Sequence, residues 1–394
     1  MEDKHFNRQL ADDLALRIAK VRHEMRASEA QAALITSNPN IYYTSGRMFR
    51  GYVYIPAEGE VRYLVVRPQE SDAPGVIALR KPEQIPDVLA EAGISIPDVI
   101  GLELDNLTVS AYERLRKALG GVRAVNVSQL MRRARMTKTP YEIAAMREDG
   151  EHQTAAYRRI SHLYRENMTD IELQIEIERC LRLEGCLGYT RMSGDLMEIN
   201  MGSVLAGDNA DAPGPYDFSM GGAGVDLSLP VGANGTVLRA GIAVMVDMNG
   251  NFNGYQTDLT RVWKVGDIDP RAMKAHEVSR AILHRLEKEA KAGFPISRMA
   301  EIAYEMADEA GLADYFMGHR QKAGFIGHGV GIELNEQPVI MTRNKDLLEE
   351  NCTIALEPKF VIPGTGAVGN ENTYLVTAHG LENLTPFNEE IMDL

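Results

Sequence analysis

Apolar residues recur at Leu10, Leu14, Ile18, Val21 and Met25, four, four, three and four apart, which predicts one face of a helix over about residues 8–26. The next segment, QAALITSNPNIYYTSG, reads as a buried strand broken at Asn38-Pro39. YVYIPAEGEVRYLVV reads as two strands joined by the turn Ala57-Glu58-Gly59-Glu60. VIGLEL, an amphipathic helix ending near Gly120-Gly121, and VRAVNV complete a βαβ-like alternation, so residues 1–128 are expected to form a compact α/β domain.

A basic stretch, MRRARMTKTPYE, follows. A phosphate-binding patch is one reading of it; a solvated first helix after a domain linker is the simpler one. Thr139-Pro140-Tyr141-Glu142 supplies a capping box with proline at the first helical position. Thr169-Asp170-Ile171-Glu172 repeats the signal for a helix running to about Gly185. Asp269-Pro270 opens a third that stops at Gly293, and Ser297 is expected to cap a fourth ending at Gly311. Short strands lie between and after these helices, so residues 129–394 read as an α+β domain whose two halves share a layout of helices followed by an acid-bearing hairpin.

The apolar run IAVMVDM ends in a carboxylate, an unusual way to build a plain core strand. If Asn253-Gly254 forms a two-residue type I′ turn, Phe252 pairs with Tyr255, Asp247 lies opposite Thr260, and Asp258 is its diagonal neighbour on the same face. Diagonal positions are roughly 7–8 Å apart, so two inward-leaning carboxylates there could grip ions about 3.5–4 Å from each other. Asn249-Gly250 is a rival turn that would separate the two acids. Glu357 ends TIALE before Pro358, and Glu371 lies in a strand beyond the loop Pro363-Gly364-Thr365-Gly366, which again suggests an acid-bearing hairpin. His328 is set among Gly327, Gly329 and Gly331, which let the backbone approach a ligand or turn sharply. His319, His276, His284 and His379 lack such a context and read as surface or helix histidines. Asp247, Asp258, His328, Glu357 and Glu371 together are the donor set of two hard-to-borderline divalent cations.

Composition narrows the alternatives. With 394 residues, 44% hydrophobic and 25% charged, the chain is of a size for two or three globular domains. No apolar run approaches a membrane span and MEDKHFNRQLADD has no signal-like core, so a cytoplasmic protein is expected. A net charge of −14 disfavours nucleic acid and anionic membrane as partners. Cys180, Cys186 and Cys352 form no CxxC, as suits a reducing compartment. Gly364-Thr365-Gly366-Ala367-Val368-Gly369 spells GxGxxG but runs into the strand-like ENTYLV rather than a helix, so a dinucleotide site fails its context test.

With these residues in place, the chain resembles the metallopeptidase family of aminopeptidase P, prolidase and methionine aminopeptidase. LITSNPNIYYTSG resembles the creatinase-type N-terminal domain, and RRARMTKTPYEIAAMRE the usual entry to the catalytic domain. The resemblance implies a pita-bread catalytic domain and a dinuclear centre with a bridging water or hydroxide as nucleophile. It also implies Mn²⁺ as the first choice of ion, with Zn²⁺, Co²⁺ or Fe²⁺ as alternatives. Asp258, His328 and Glu371 would hold one ion, with Asp247 and Glu357 completing the pair; Glu357, with one oxygen free, would shuttle the proton. The implied activity is that of an Xaa-Pro dipeptidase or aminopeptidase on a short peptide or small molecule. The implied assembly is a homodimer in which residues near Asn40, Tyr42, Tyr43 and Arg50 border a partner's pocket.

The peptidases carry histidines four residues before and seven after the metal histidine, where this chain has Gly324 and Asn335. Upstream of the first aspartate, where another histidine is expected, LAGDNADAPGPYDFSMGG offers Asn209, Asp211, Tyr216 and Asp217 instead; Asn335, Tyr216 and Asp217 are thus the candidate substrate-binding residues. Non-peptidase chemistry on the same fold is the alternative: hydrolysis of creatine- or ectoine-type C–N bonds, or a dimethylsulfoniopropionate-type lyase. A metal-free binding protein is the third reading.

Overall fold

The computed structural model describes residues 8–69, 73–194 and 197–394, which divide into two compact units. The first comprises residues up to Arg135 together with Thr139–Tyr141; the second comprises Met136–Lys138 and Glu142–Leu394.

The first unit opens with α1 (Arg8–Met25), whose Leu10, Leu14, Ile18, Val21 and Met25 are all buried, as their spacing requires. β1 (Ala32–Ile35) follows, and then the chain departs from expectation. NPNIYYTS is not a broken strand but a helix, α2 (Asn38–Ser45), with Pro39 in its first turn and Gly46 closing it in the left-handed region. Proline lacks the N–H that a first-turn residue would leave unpaired, so Asn-Pro starts a helix as readily as it ends a strand. Then come β2 (Arg50–Pro56), β3 (Arg62–Arg67), β4 (Val76–Ala78), α3 (Ile85–Glu91), β5 (Val99–Leu102), α4 (Val109–Ala118) and β6 (Arg123–Asn126). Among the described residues they form a six-stranded sheet, order β4-β3-β2-β1-β5-β6, with β1, β5 and β6 parallel. The basic stretch forms α5 (Ser128–Met136). It is no free surface helix: Met131, Ala134 and Arg135 are buried, and Arg135 donates to Asn40 Oδ1 (2.9 Å).

α6 (Pro140–Tyr157) starts at its proline and belongs to the second unit from Glu142 on, and α7 (Asp170–Leu183) has the capping box read from Thr169 and Glu172. β7 (Gly202–Ala206), β8 (Ile242–Gly250) and β9 (Thr257–Val265) pair antiparallel. Next come α8 (Pro270–Glu289), capped by Asp269, and α9 (Ile296–Glu309). Ser297 does not cap α9; Pro295 occupies that place without a side-chain bond, and the helix begins two residues earlier than a Ser297 cap would place it. The chain finishes with β10 (Gly327–Gly329), β11 (Thr353–Leu356), β12 (Phe360–Ile362), β13 (Gly366–Val368), β14 (Asn372–Val376), β15 (Leu381–Asn383) and β16 (Met392–Asp393). The sheets run β16-β9-β8-β7 and β10-β11-β14-β15, with β12-β13 a separate ladder.

The strand period of two sorts the faces. Val244, Val246 and Met248 of β8, with Leu259 and Trp263 of β9, join a core with Tyr157 of α6 and Leu173, Ile177 and Leu181 of α7. Asp247, Asn249, Asp258 and Thr260 therefore face the opposite way. On the other side, Ile354, Leu356, Phe360 and Tyr374 pack against Ile282, Leu283 and Leu286 of α8 and Met299 and Ile302 of α9. Each sheet has a helical layer behind it, and the acids stand on the faces left between.

Candidate metal centre

Asp247 pairs with Thr260 and Asn249 with Asp258, so the two acids are diagonal neighbours in the expected register. The turn is different. Strand pairing ends at Gly250 and Thr257, and residues 251–256 form a wide loop. Asp149 of α6 accepts from Phe252 N (2.7 Å), Asn251 donates to Tyr189 O (2.8 Å), and Gln256 donates to Arg191 O and Ile332 O (2.8 and 3.1 Å). These side chains do what a tight turn would have done.

The second hairpin keeps a single register through a break. Leu356 pairs with Asn372 on one side of it and Phe360 with Val368 on the other, and Glu357 and Glu371 are the first facing positions inside it. The two hairpins are stitched together next to these acids. Thr260 and Glu371 form a backbone bridge, Thr260 Oγ1 donates to Glu371 Oε2 (2.7 Å), and Asp258 N donates to Thr373 Oγ1 (2.8 Å). Arg261, fully buried, donates to Thr260 O and Glu371 O (2.8 Å each) and to Asn372 Oδ1 (2.7 Å). His328 enters from β10, opposite Ala355. Its flanking glycines are required by space: a Cβ on Gly327 would stand 2.2 Å from Ala355 O, and one on Gly329 2.1 Å from Gln337 O.

All five residues converge. A carboxylate oxygen from each of Asp258 and Glu371 and a ring nitrogen of His328 lie within 4.8 Å of one another. His328 Nε2 is 3.7 Å from Asp258 Oδ2 and 3.8 Å from Glu357 Oε1, while Nδ1 is 3.1 Å from Gly329 O. A proton on Nδ1 would be held by that carbonyl, leaving the Nε2 lone pair toward the acids. Glu371 Oε1 is buried and has no hydrogen-bond partner among the described residues. A buried carboxylate oxygen left unpaired is costly in the absence of a cation, so this trio fits a divalent ion.

One residue not anticipated from sequence stands among them. Lys359, fully buried, donates from Nζ to Asp247 Oδ2 (2.9 Å), Glu357 Oε2 (2.7 Å) and Glu371 Oε2 (2.9 Å). Ser219 also donates to Glu357 Oε2. The signal for Lys359 was available: continuing the strand of TIALE through Pro358 puts Lys359 on the face of Glu357, although strand pairing is interrupted at 357–359 in the structure.

The charges divide accordingly. Burial pushes the Glu371 and Asp258 carboxyls well up, and like charges add to it, Asp258 acting on Glu371 and Asp247 on Asp258. At Glu357 burial is outweighed by the Lys359 ammonium, then by His328, and its carboxyl lies below the usual range. At Lys359 burial works against the charge, but Asp247, Glu357 and Glu371 together raise its pKa well above the ordinary value.

A cavity of about 200 Å³ opens on the centre. Of the candidate substrate residues, Asp217 and Asn335 line it; Tyr216 does not, and its hydroxyl faces Glu198 (3.5 Å). Asn335 accepts from Ser193 N (2.8 Å) and donates to Ser193 O (2.7 Å), so both ends of its amide hold a loop. Asn209 bonds backbone at Gly232 and Ala223, and Asp211 pairs with His319. Among the described residues, its chain neighbours aside, nothing comes within 4 Å of where a Cβ would stand on Gly324. Sequence reasoning also missed the apolar wall, built from Met192, Met197, Met220, Phe325 and Met341. Cys186 is buried, and burial pushes its thiol up, against a nucleophilic role. The GxGxxG run forms the β12–β13 turn and the residues after it, not a helix entry.

The chain matches the Creatinase/Prolidase N-terminal domain over residues 17–137 and Metallopeptidase family M24 over residues 144–378. It is 25% identical to the Xaa-Pro dipeptidase of Pyrococcus furiosus over 384 residues, 95% of this chain and 99% of that protein. Among solved structures it shares the fold of an Xaa-Pro dipeptidase from Bacillus anthracis (TM-score 0.80, 23% identity, covering 97% and 100% of the two chains). It likewise shares that of an X-Pro aminopeptidase from Thermotoga maritima (TM-score 0.77, 22% identity, 96% and 99%). With more than half of its length matched by the catalytic-domain profile and its five acid and imidazole groups gathered at one centre, the chain belongs to metallopeptidase family M24.

Proposed function

We propose that this protein is a divalent-metal-dependent hydrolase of short peptides, of the Xaa-Pro dipeptidase or aminopeptidase P kind. The observation that carries the reading is the meeting of Asp258, His328 and the unpartnered Glu371 Oε1 in the wall of the cavity. Oxygen donors with one imidazole suit Mn²⁺ first, with Zn²⁺, Co²⁺ or Fe²⁺ as alternatives. A divalent ion held there supplies Lewis acidity toward a water molecule and the scissile carbonyl.

The chain's own groups do the rest. Glu357, beside His328 and hydrogen-bonded by Ser219 and Lys359, is placed to accept and return a proton. The methionine-rich wall receives an uncharged side chain and excludes water, and Asp217 is available to a substrate ammonium. We place the protein in the cytoplasm; no described helix is long and apolar enough to cross a membrane. We also propose a homodimer. Asn40 donates to Glu103 Oε1 and Tyr43 to Ala134 O (2.9 Å), both within their own unit, and residues near them, Tyr42 and Arg50 included, would border a partner's pocket.

Gly324 and the committed amide of Asn335 favour a second reading, a C–N hydrolase or lyase acting on a small non-peptide substrate. One panel separates the two: Xaa-Pro dipeptides, longer peptides, ectoine derivatives, creatine and dimethylsulfoniopropionate, each with Mn²⁺. Turnover of Xaa-Pro dipeptides with an apolar first residue, lost in Asp258→Ala, is the expected result. Turnover of a non-peptide alone would establish the second reading instead.

A further inference from the structure

The centre presents two cation positions, and they differ in what they offer. One is framed by Asp258, His328 and Glu371 Oε1, with an oxygen still unpaired. The other is framed by Asp247 Oδ2, Glu357 Oε2 and Glu371 Oε2, and Lys359 Nζ touches all three at 2.7–2.9 Å. An ammonium has three N–H donors, and here three carboxylates take them. A divalent ion bound to the same oxygens would sit about 2.0–2.2 Å from each. It would lie inside the ammonium's own contact shell, with no oxygen between the two charges, so the two cannot share the position.

Lys359 is also poorly placed to leave. Its side chain is fully buried, and its backbone is pinned at the hairpin break between Pro358 and Phe360. Gly369 has φ +130, and a Cβ there would stand 2.7 Å from Pro358 O and 2.9 Å from Lys359 Cα. The absence of a side chain at residue 369 is what lets the lysine backbone close on the site. Charge agrees with geometry. One ammonium and one divalent ion leave a single negative charge on the four carboxylates, whereas a second divalent ion would leave the buried cluster positive.

We propose that Lys359 stands in for one of the two cations, so that the centre holds one divalent ion, at Asp258, His328 and Glu371, beside a protein-supplied ammonium. The proposal rests on the reading of the site as a divalent-metal centre, and its test separates the two. The full chain is loaded with excess Mn²⁺, freed of unbound ion and analysed for manganese, alongside Lys359→Met, which keeps an unbranched stem and drops the charge. The expected content is about one ion per chain for wild type and about two for the variant. Two ions in the wild type would overturn the proposal and leave the hydrolase standing, and one ion in the variant would overturn the assignment of Lys359 as the occupant. No ion in either would overturn the proposal and the metal reading together. If Lys359→Met fails to fold, the electron paramagnetic resonance spectrum of the wild type decides. An isolated six-line Mn²⁺ signal supports the proposal, and an exchange-coupled pair overturns it.

Discussion

The two hairpins of the second unit carry the same cargo in different ways. The β8–β9 hairpin is an unbroken ladder from Ile242 to Gly250, and its acids are diagonal neighbours. The hairpin of β11 to β14 is interrupted at Pro358 and Gly369, its acids face each other in the gap, and the gap also admits a lysine. A continuous ladder gives its side chains fixed spacing but no room beneath them. An interrupted one gives up backbone hydrogen bonds and gains a place where a charge can be buried against its partners. The first hairpin supplies charge to the centre, and the second also sets how much of it is already balanced.

The difference can be tested from either side. Asp258→Ala removes a trio ligand, and activity with saturating Mn²⁺ should fall at least about 10²- to 10³-fold; retention of activity would detach the first hairpin from the chemistry. Arg261 joins the hairpins through carbonyls and Asn372; in Arg261→Met the Thr260 and Glu371 carbonyls keep each other's N–H, while Asn372 Oδ1 and Asn388 O lose their donor. Urea unfolding should show a loss of about 3–4 kcal/mol. Gly369→Ala forces a Cβ against backbone at the break and should cost about 3 kcal/mol. Gly250→Ala meets side-chain atoms rather than backbone, Thr257 Oγ1 nearest at 2.6 Å, and should cost about 1 kcal/mol. Equal costs would mean the break is no tighter than the ladder.

Between these two in size lies a pH effect from α8, which packs against the second hairpin. His276 of α8 is buried beside Glu389 O (2.7 Å), the carbonyl that also accepts from Asn370 Nδ2 (2.8 Å) next to Glu371. Burial lowers its pKa to about 4 from 6.5; the Glu389 carbonyl and Glu277 oppose that, and Arg280 and Arg261 add to it. With the folded value below the unfolded one, the stabilisation is complete above pH 6.5 and is lost as pH falls toward 4. Going from pH 7 to about 4.5 should cost about 2 kcal/mol. Hydrogen exchange should rise first around residues 357–371, and His276→Gln should flatten the dependence.

The parts legible in the sequence were those with a local cause. The spacing of Leu10 to Met25 and the Thr169–Glu172 box each act locally along the chain, and each is realised. The Asp247–Thr260 register was legible although its turn was not, because a wide loop of even length preserves the pairing of a two-residue turn. Asn38-Pro39 misled because the dipeptide serves a helix start as well as a strand end. The engagement of Asn335 with Ser193 and the role of Gly369 depend on contacts across the fold, which spacing along the chain does not carry. Lys359 was within reach of the strand period, but a lysine among acids reads first as an exposed counter-charge.

The account turns on which cation stands at which acid, and a crystal of the Mn²⁺-loaded chain, measured for anomalous scattering at the manganese edge, addresses it directly. The expected map has one peak, bounded by Asp258, His328 and Glu371, with Lys359 Nζ still on Asp247 and Glu357. Two peaks with Lys359 displaced, or none among the five residues, would contradict it.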